Sequence, residues 1–463
     1  MTHKIFWLFT VAVFFGLLLP ALVQEGMFLD GVTYACIAKN MANGLGSLTR
    51  PYYTATLYPS FYEQPPLALW LQSQFFRSFG NHFWVERLYS FCMALLSAVG
   101  IVMIWRLLSK QTQDTPLERR KLSWLPVLLW ITAPIIFWGF QNNMLECTMS
   151  VFVLLSAYCA TKSIAENKVW LIAIAALLTV AAVLCKGPVG FFPIAAPLAF
   201  GIAFDQKRVL ASAGRSFLMF LLTFALLGVF ILFVPGMQEY FDYYLDKQLL
   251  PTLSGAREKQ VANPLSFLLD LFSQLAIPSI LLACIFARQG FRRIAFPRQA
   301  LFFFALGLAG TLPLVFTPKQ SAHYLLPSIP FFALGFASVF STRINFTAIS
   351  SKRNAILEKI AWIILAITIV ISLSFWGKFR RDRQKISDVT AICNLVGQDT
   401  ILSVPQHFSE DWLLIACFGR LNNVSLDTRV AHDFWLIEKN GQLPQGYGEI
   451  DLGLVGYKIL KKF

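Results

Sequence analysis

Residues 5–44 read IFWLFTVAVFFGLLLPALVQEGMFLDGVTYACIAKNMANG. Positions 5–23 carry no charge, and a bilayer's hydrocarbon core, about 30 Å thick, is crossed by about 20 such residues. Lys4 ahead of the run would suit a secretory leader, yet no small-x-small cleavage site precedes Gln24-Glu25, so the segment reads as a retained span. The chain turns amphipathic directly afterwards. Tyr34, Ile37, Ala38 and Met41 recur at helical spacing, which predicts a helix with Lys39 and Asn40 facing away from its packed side. Asp30 falls at the start of that helix, where the dipole and free N–H groups favour an ionised carboxylate. Plain N-capping and a chemical role are both open for it.

The rest of the chain repeats the first pattern. Of 463 residues, 56% are hydrophobic and only 14% charged, with a mean hydropathy of +0.60; soluble domains carry about 25% charged residues. Further apolar runs lie near 85–105, 123–140, 144–161, 169–185, 188–204, 216–235, 266–287, 299–316, 322–340 and 359–377, which with the first makes eleven expected spans. The net charge of +14 would suggest nucleic-acid binding in a soluble protein. In a polytopic chain it first reports topology, and no nucleic-acid partner is expected. With the N-terminus inside, nineteen basic residues fall on inner segments, including Arg106, Lys110, Arg119, Arg120, Lys121, Arg292, Arg293 and Arg343, and nine on outer loops, including Arg257 and Lys259. That orientation puts the C-terminus outside.

From Lys378 to Phe463 composition becomes mixed, with strand-like Thr400 to Val404 and turn signals at Asn422-Asn423 and Asn440-Gly441. The expected organisation is an all-α membrane domain over 1–377, with an acidic outer loop at 24–84, and a small outer α/β domain over 378–463. The eight cysteines form no CxxC or metal-ligand spacing and read mostly as buried apolar residues. Cys393 and Cys417 share the outer domain and would pair in an oxidising compartment.

Polar residues collect on the outer face. In FYEQPPLALWLQSQFFRSFG, residues 61–80, Pro65-Pro66 leads into an apolar stretch too short to span, expected to lie on the membrane surface. Glu146 opens the fourth span beside Asn142 and Asn143, Lys186 stands in the turn Lys186-Gly187-Pro188, and Lys319 precedes His323 and Tyr324 between spans nine and ten. Each has a bland reading, a solvated helix start for Glu146 and snorkelling for the lysines. Together, two acids and two lysines on one face suit an anionic phospholipid donor. A carboxylate takes a proton from an acceptor hydroxyl, and lysines stabilise a departing phosphate.

These motifs, in their order and spacing over residues 1 to about 340, resemble the polytopic lipid-phosphosugar-dependent glycosyltransferases of the GT-C fold, including dolichyl-phosphate-mannose protein mannosyltransferases and the lipid A aminoarabinose transferase. The matching features are Asp30 through Tyr34 to Asn40, Glu63-Gln64-Pro65-Pro66-Leu67, Leu145-Glu146, Lys186-Gly187-Pro188, and Lys319 with His323-Tyr324-Leu325-Leu326-Pro327. The resemblance implies sugar transfer from a polyprenyl-phosphate carrier to a lipid A, envelope-glycan or protein acceptor at the outer face of a bacterial inner membrane. It implies Asp30 as general base or acceptor-positioning group, Glu146 as the second acid, and Tyr34, Glu63, Gln64, Lys186, Lys319, His323 and Tyr324 around the substrates. A divalent metal on Glu63 and His323 is a further reading, although one acid and one histidine fall short of a ligand set. Two positions depart from the family: Gly31 stands where a second acid is common, and Gln64 where the aminoarabinose transferase pattern has lysine. A transporter or flippase would instead place acids and prolines inside broken spans, and a non-catalytic envelope protein is the third class.

Overall fold

The computed structural model describes residues 2–111, 120–256, 263–289, 296–342 and 350–463. Arg119, Arg257, Lys259, Arg292, Arg293 and Arg343, which contribute to the charge asymmetry, lie outside the described residues.

All eleven expected stretches are helical. Among the described residues six helices are individually long and apolar enough to cross a bilayer, His3–Leu22, Val85–Lys110, Leu145–Ala165, Gln206–Phe233, Arg298–Val315 and Ser351–Phe375. Two more spans exist if the bent pairs Lys121–Ile131 with Pro134–Gln141 (74°) and Pro264–Gln274 with Ala276–Arg288 (72°) each count as one. Proline explains both bends, because its ring collides with the carbonyl four residues back and its missing N–H breaks the ladder. Pro134 opens the second helix of one pair, and Pro278 stands in the first turn of the second helix of the other. The other three stretches are the shorter helices Leu171–Lys186, Pro188–Phe204 and Ile329–Ser341.

The chain forms two compact units. The first comprises 1–21, 90–141 and 145–374 and holds most of the apolar helices. Its interior is close-packed: Gly139 approaches Leu326 so nearly that a Cβ would come within 2.2 Å of its side chain.

The second unit comprises 22–89, 142–144 and 375–463. Segments 23–25 and 377–380 run parallel here, joined by Glu25 N–H to Lys378 O and Arg380 N–H to Glu25 O, each 2.9 Å. Five strands, β1 (Ile401–Ser403), β2 (Ser425–Asp427), β3 (Phe434–Glu438), β4 (Tyr447–Ile450) and β5 (Tyr457–Lys462), form one sheet in the order β2-β1-β3-β5-β4. β1 pairs parallel with β2 and β3, while β5 is antiparallel to β3 and β4. Parallel neighbours require a crossover, and helix Trp412–Asn422 supplies it between β1 and β2. That helix stops at Asn423, which takes the left-handed conformation (φ 54°), as the Asn-Asn signal predicts. Cys393 and Cys417, which could pair in an oxidising compartment, are both free and buried here, and burial pushes each thiol up to about 12.

The acid-led segment is helix Leu29–Ala42, as its spacing predicts. One detail is corrected: Lys39 is only 2% exposed and Asn40 fully buried. The Lys39 ammonium donates to the carbonyls of Gly419 (2.5 Å) and Arg420 (3.3 Å) at the end of helix Trp412–Asn422, and Asn40 Nδ2 donates to Tyr53 O (3.1 Å). The side that looked solvated is covered by chain 380 residues further on.

Candidate active-site groups

Within the first unit, four of the expected site residues converge at the head of helix Leu145–Ala165. Glu146 lies in its first turn and is 0% exposed, which removes the solvated-start reading. Lys186 ends helix Leu171–Lys186, where Gly187 at φ 86° and Pro188 turn the chain. Its Nζ lies 3.3 Å from Glu146 Oε1, so it is ion-paired inside the protein rather than snorkelling outward. His323 Nε2 is 3.8 Å from the same oxygen. Tyr324 sets its ring edge-on to His323 at 4.7 Å between centroids. Among the described residues, neither carboxylate oxygen of Glu146 accepts a directed hydrogen bond. The carboxylate is held by its ion pair with Lys186.

Trp138, which no sequence pattern singles out, stacks on His323, with centroids 6.2 Å apart and planes inclined by 21°. The bend before Pro134 gives Trp138 its place, since it lies on the second helix of that broken pair. Lys319 is half-buried in the loop ahead of His323, its carbonyl accepting from Thr317 Oγ1 at 2.9 Å.

The second unit holds Asp30, Tyr34, Glu63 and Gln64. Asp30 is in the first turn of its helix, but the N-cap position is Phe28 and no side chain caps there. Capping therefore does not account for Asp30. Its carboxylate accepts from Tyr34 OH one turn on, at 3.4 Å, and Tyr34 packs edge-on against Phe61 at 6.4 Å. Residues 142–144 brace this helix start: Phe28 N–H donates to Asn142 Oδ1 (2.8 Å) and Asn143 Nδ2 to Gly31 O (3.3 Å), while Asn143 Oδ1 accepts from Gln72 Nε2 (3.0 Å). Asn143 is left-handed (φ 54°), a conformation asparagine tolerates better than most residues. Gly31 has a steric cause: a Cβ there would stand 2.0 Å from the backbone oxygen of Asn142. The family's second acid has no room in this chain.

Glu63 and Gln64 are half-buried just before Pro65-Pro66, each engaged by neighbours. The metal reading on Glu63 and His323 gains no further ligand, since among the described residues no group of three or more His, Cys, Asp or Glu side chains is placed to hold a metal ion. Within its own unit His323 faces Glu146.

Residues 63–236 match the family model for dolichyl-phosphate-mannose-protein mannosyltransferases. No curated protein sequence matches the chain significantly. In structure it is similar to ArnT from Cupriavidus metallidurans bound to undecaprenyl phosphate, with a TM-score of 0.65 and 13% identity over 98% of this chain and 97% of that one. The apo state of the same protein gives 0.64 and 14% identity, over 97% and 95%. The oligosaccharyltransferase of Archaeoglobus fulgidus gives 0.50 and 13%, over 90% of this chain and 64% of that one. The chain is thus a multi-pass membrane protein with the fold of the GT-C glycosyltransferases, the class its sequence motifs resemble. Of the matched structures named here, ArnT is the one whose whole length it shares.

Proposed function

We propose that the chain is a membrane glycosyltransferase that moves a sugar from a polyprenyl-phosphate carrier to a lipid A, envelope-glycan or protein acceptor at the outer face of a bacterial inner membrane. The observation that carries this reading is Glu146, buried at the head of a span with Lys186 and His323 on one of its oxygens and no directed hydrogen bond on either. The ArnT-like fold and the family-model match over 63–236 support it.

In the mechanism, Asp30 takes the proton of an acceptor hydroxyl or orients that hydroxyl. The oxygen attacks the anomeric carbon as its bond to phosphate breaks, with inversion and no covalent glycosyl-enzyme. Negative charge growing on the departing polyprenyl phosphate is met by Lys186 and Lys319, in surroundings poor in water where fixed charges act strongly. Glu146 orients Lys186 and His323. Tyr34, Glu63, Gln64 and Tyr324 line the substrates, with Gln64 offering the phosphate a neutral donor where lysine would offer charge. The eleven apolar stretches are taken as eleven spans, and the positive-inside rule then supports an inward N-terminus and an outward domain from residue 378.

Purified Asp30→Asn protein in nanodiscs is expected to lose transfer from labelled undecaprenyl-phosphate sugar while staying folded; unchanged turnover overturns the role of Asp30. Mass spectrometry of lipid-linked and envelope glycans, in cells with and without the protein, names the substrates through one carrier-linked sugar that accumulates and one decoration that disappears. A transporter is the second reading, favoured by the two spans broken at Pro134 and Pro278. Uptake of the lipid-linked sugar into vesicles, without transfer, would decide for it.

A further inference from the structure

We propose that Arg420, in the C-terminal segment, is a positioning residue for the sugar-transfer reaction, acting on Asp30 through the acid-led helix; this rests on the reading of Asp30 as the group that handles the acceptor. Arg420 stands in the last turn of helix Trp412–Asn422. Its guanidinium forks onto Glu86, Nη2 to Oε2 at 2.8 Å and Nε to Oε1 at 3.3 Å. It also donates to Asn81 Oδ1 and to His82 O (3.0 Å), and lies 5.0 Å over the ring of Phe76. Both charged side chains are buried. The side chain thus fastens the turn that follows helix Leu67–Phe79, while the carbonyls of Gly419 and Arg420 receive the buried ammonium of Lys39. One short piece of chain ties together two segments of the outer loop.

The approach of the two helices is as close as the chain permits. A Cβ on Gly419 would come within 2.6 Å of Cys36 Sγ, one turn before Lys39. Further along, the same loop is tied to the edge strand β2, with Thr56 Oγ1 donating to Leu426 O (2.5 Å) and Ala55 N–H to Ser425 Oγ (2.9 Å). Asp30 is nine residues from Lys39 on a helix whose intervening positions 31–38 are all buried. At 1.5 Å per residue that lever is about 13 Å long, so a tilt at the Lys39 end moves the carboxylate. Displacements of about 1 Å in positioned groups cost about a hundredfold in rate. Only arginine has the planar fork that serves Glu86 bidentately and Asn81 and His82 together.

The test uses the full chain in nanodiscs. Arg420→Lys keeps the charge and loses the fork; Arg420→Met loses both; Lys39→Met removes the other tie. We expect kcat for transfer from undecaprenyl-phosphate sugar to fall about tenfold to a hundredfold in each, with KM for the donor within about twofold. Amide exchange is expected to rise in peptides covering 29–42 and to stay unchanged in 401–403 and 457–462. Unchanged exchange at 29–42 overturns the proposal, and so does exchange raised equally in the sheet, because that is general loosening rather than positioning. If exchange responds as expected but the unmodified protein transfers no sugar, the tie stands and the transferase reading fails.

Discussion

Gly31→Ala separates steric reasoning from resemblance. By family pattern alone position 31 accepts a side chain, even an acidic one, and Gly31→Asp would restore a missing feature. In the structure the first carbon of any side chain meets Asn142 O at 2.0 Å, where ordinary contact begins at 3.4 Å, so helix and bracing turn must separate by about 1.4 Å. The obstacle is backbone and has no rotamer to change. Such overpacking costs about 1–3 kcal/mol. The separation also breaks the bonds from Asn143 to Gly31 and from Phe28 to Asn142, each worth about 1 kcal/mol. The sum is about 3–5 kcal/mol, or a Tm lower by about 6–20 °C for a unit of this size. Asp30 is the next residue, so a shift of that size should reduce transfer at least a hundredfold. Thermal unfolding in detergent and turnover of labelled undecaprenyl-phosphate sugar measure the two effects. Gly31→Ala protein with Tm within 1 °C of the parent and undiminished turnover would refute the account, and activity gained by Gly31→Asp would restore the family reading.

Lys186→Met strands the Glu146 carboxylate in the interior and should destabilise the protein by about 3–5 kcal/mol; adding Glu146→Gln should recover much of this, and additive losses in a double-mutant cycle would show that the pair is not coupled. Burial, reinforced by Arg420, lowers the ammonium pKa of Lys39 from 10.5 to about 8. Since the folded form then releases its proton before the unfolded one, stability is expected to rise with pH between about 8 and 10.5, by up to about 3 kcal/mol. Denaturant titrations at pH 7 and 10 should show this gain in the parent protein and not in Lys39→Met; a fall with pH in the parent beyond that of the variant contradicts the sign.

Hydropathy made the apolar runs legible, and the acids stood out because they flank those runs. What it misread has a common physical origin. The apolar stretches around Pro134 and Pro278 look continuous because the index scores proline as one more residue, whereas its ring ends a helix. Lys39 and Asn40 looked solvated because periodicity describes one helix against one partner, and here a second partner covers the polar side. For Glu146 the bland reading as a wetted helix start stayed open because nothing local announces Lys186 or His323.

The same limit explains the tail. Composition changes near residue 378, and reading along the chain makes that a boundary. Yet the ties that hold the acid-led helix join residues 334 and 380 positions apart, Glu86 to Arg420 and Lys39 to Gly419, and the compact unit containing Asp30 includes the sheet. A buried lysine or arginine is costly unless its donors are satisfied, and here the cost is met by groups that each segment lacks alone. Lys39 has its acceptors in the tail, and Arg420 has its acceptors in the stretch 81–86. Neither segment can bury its own cation without the other, so the tail completes the fold of the loop that carries Asp30.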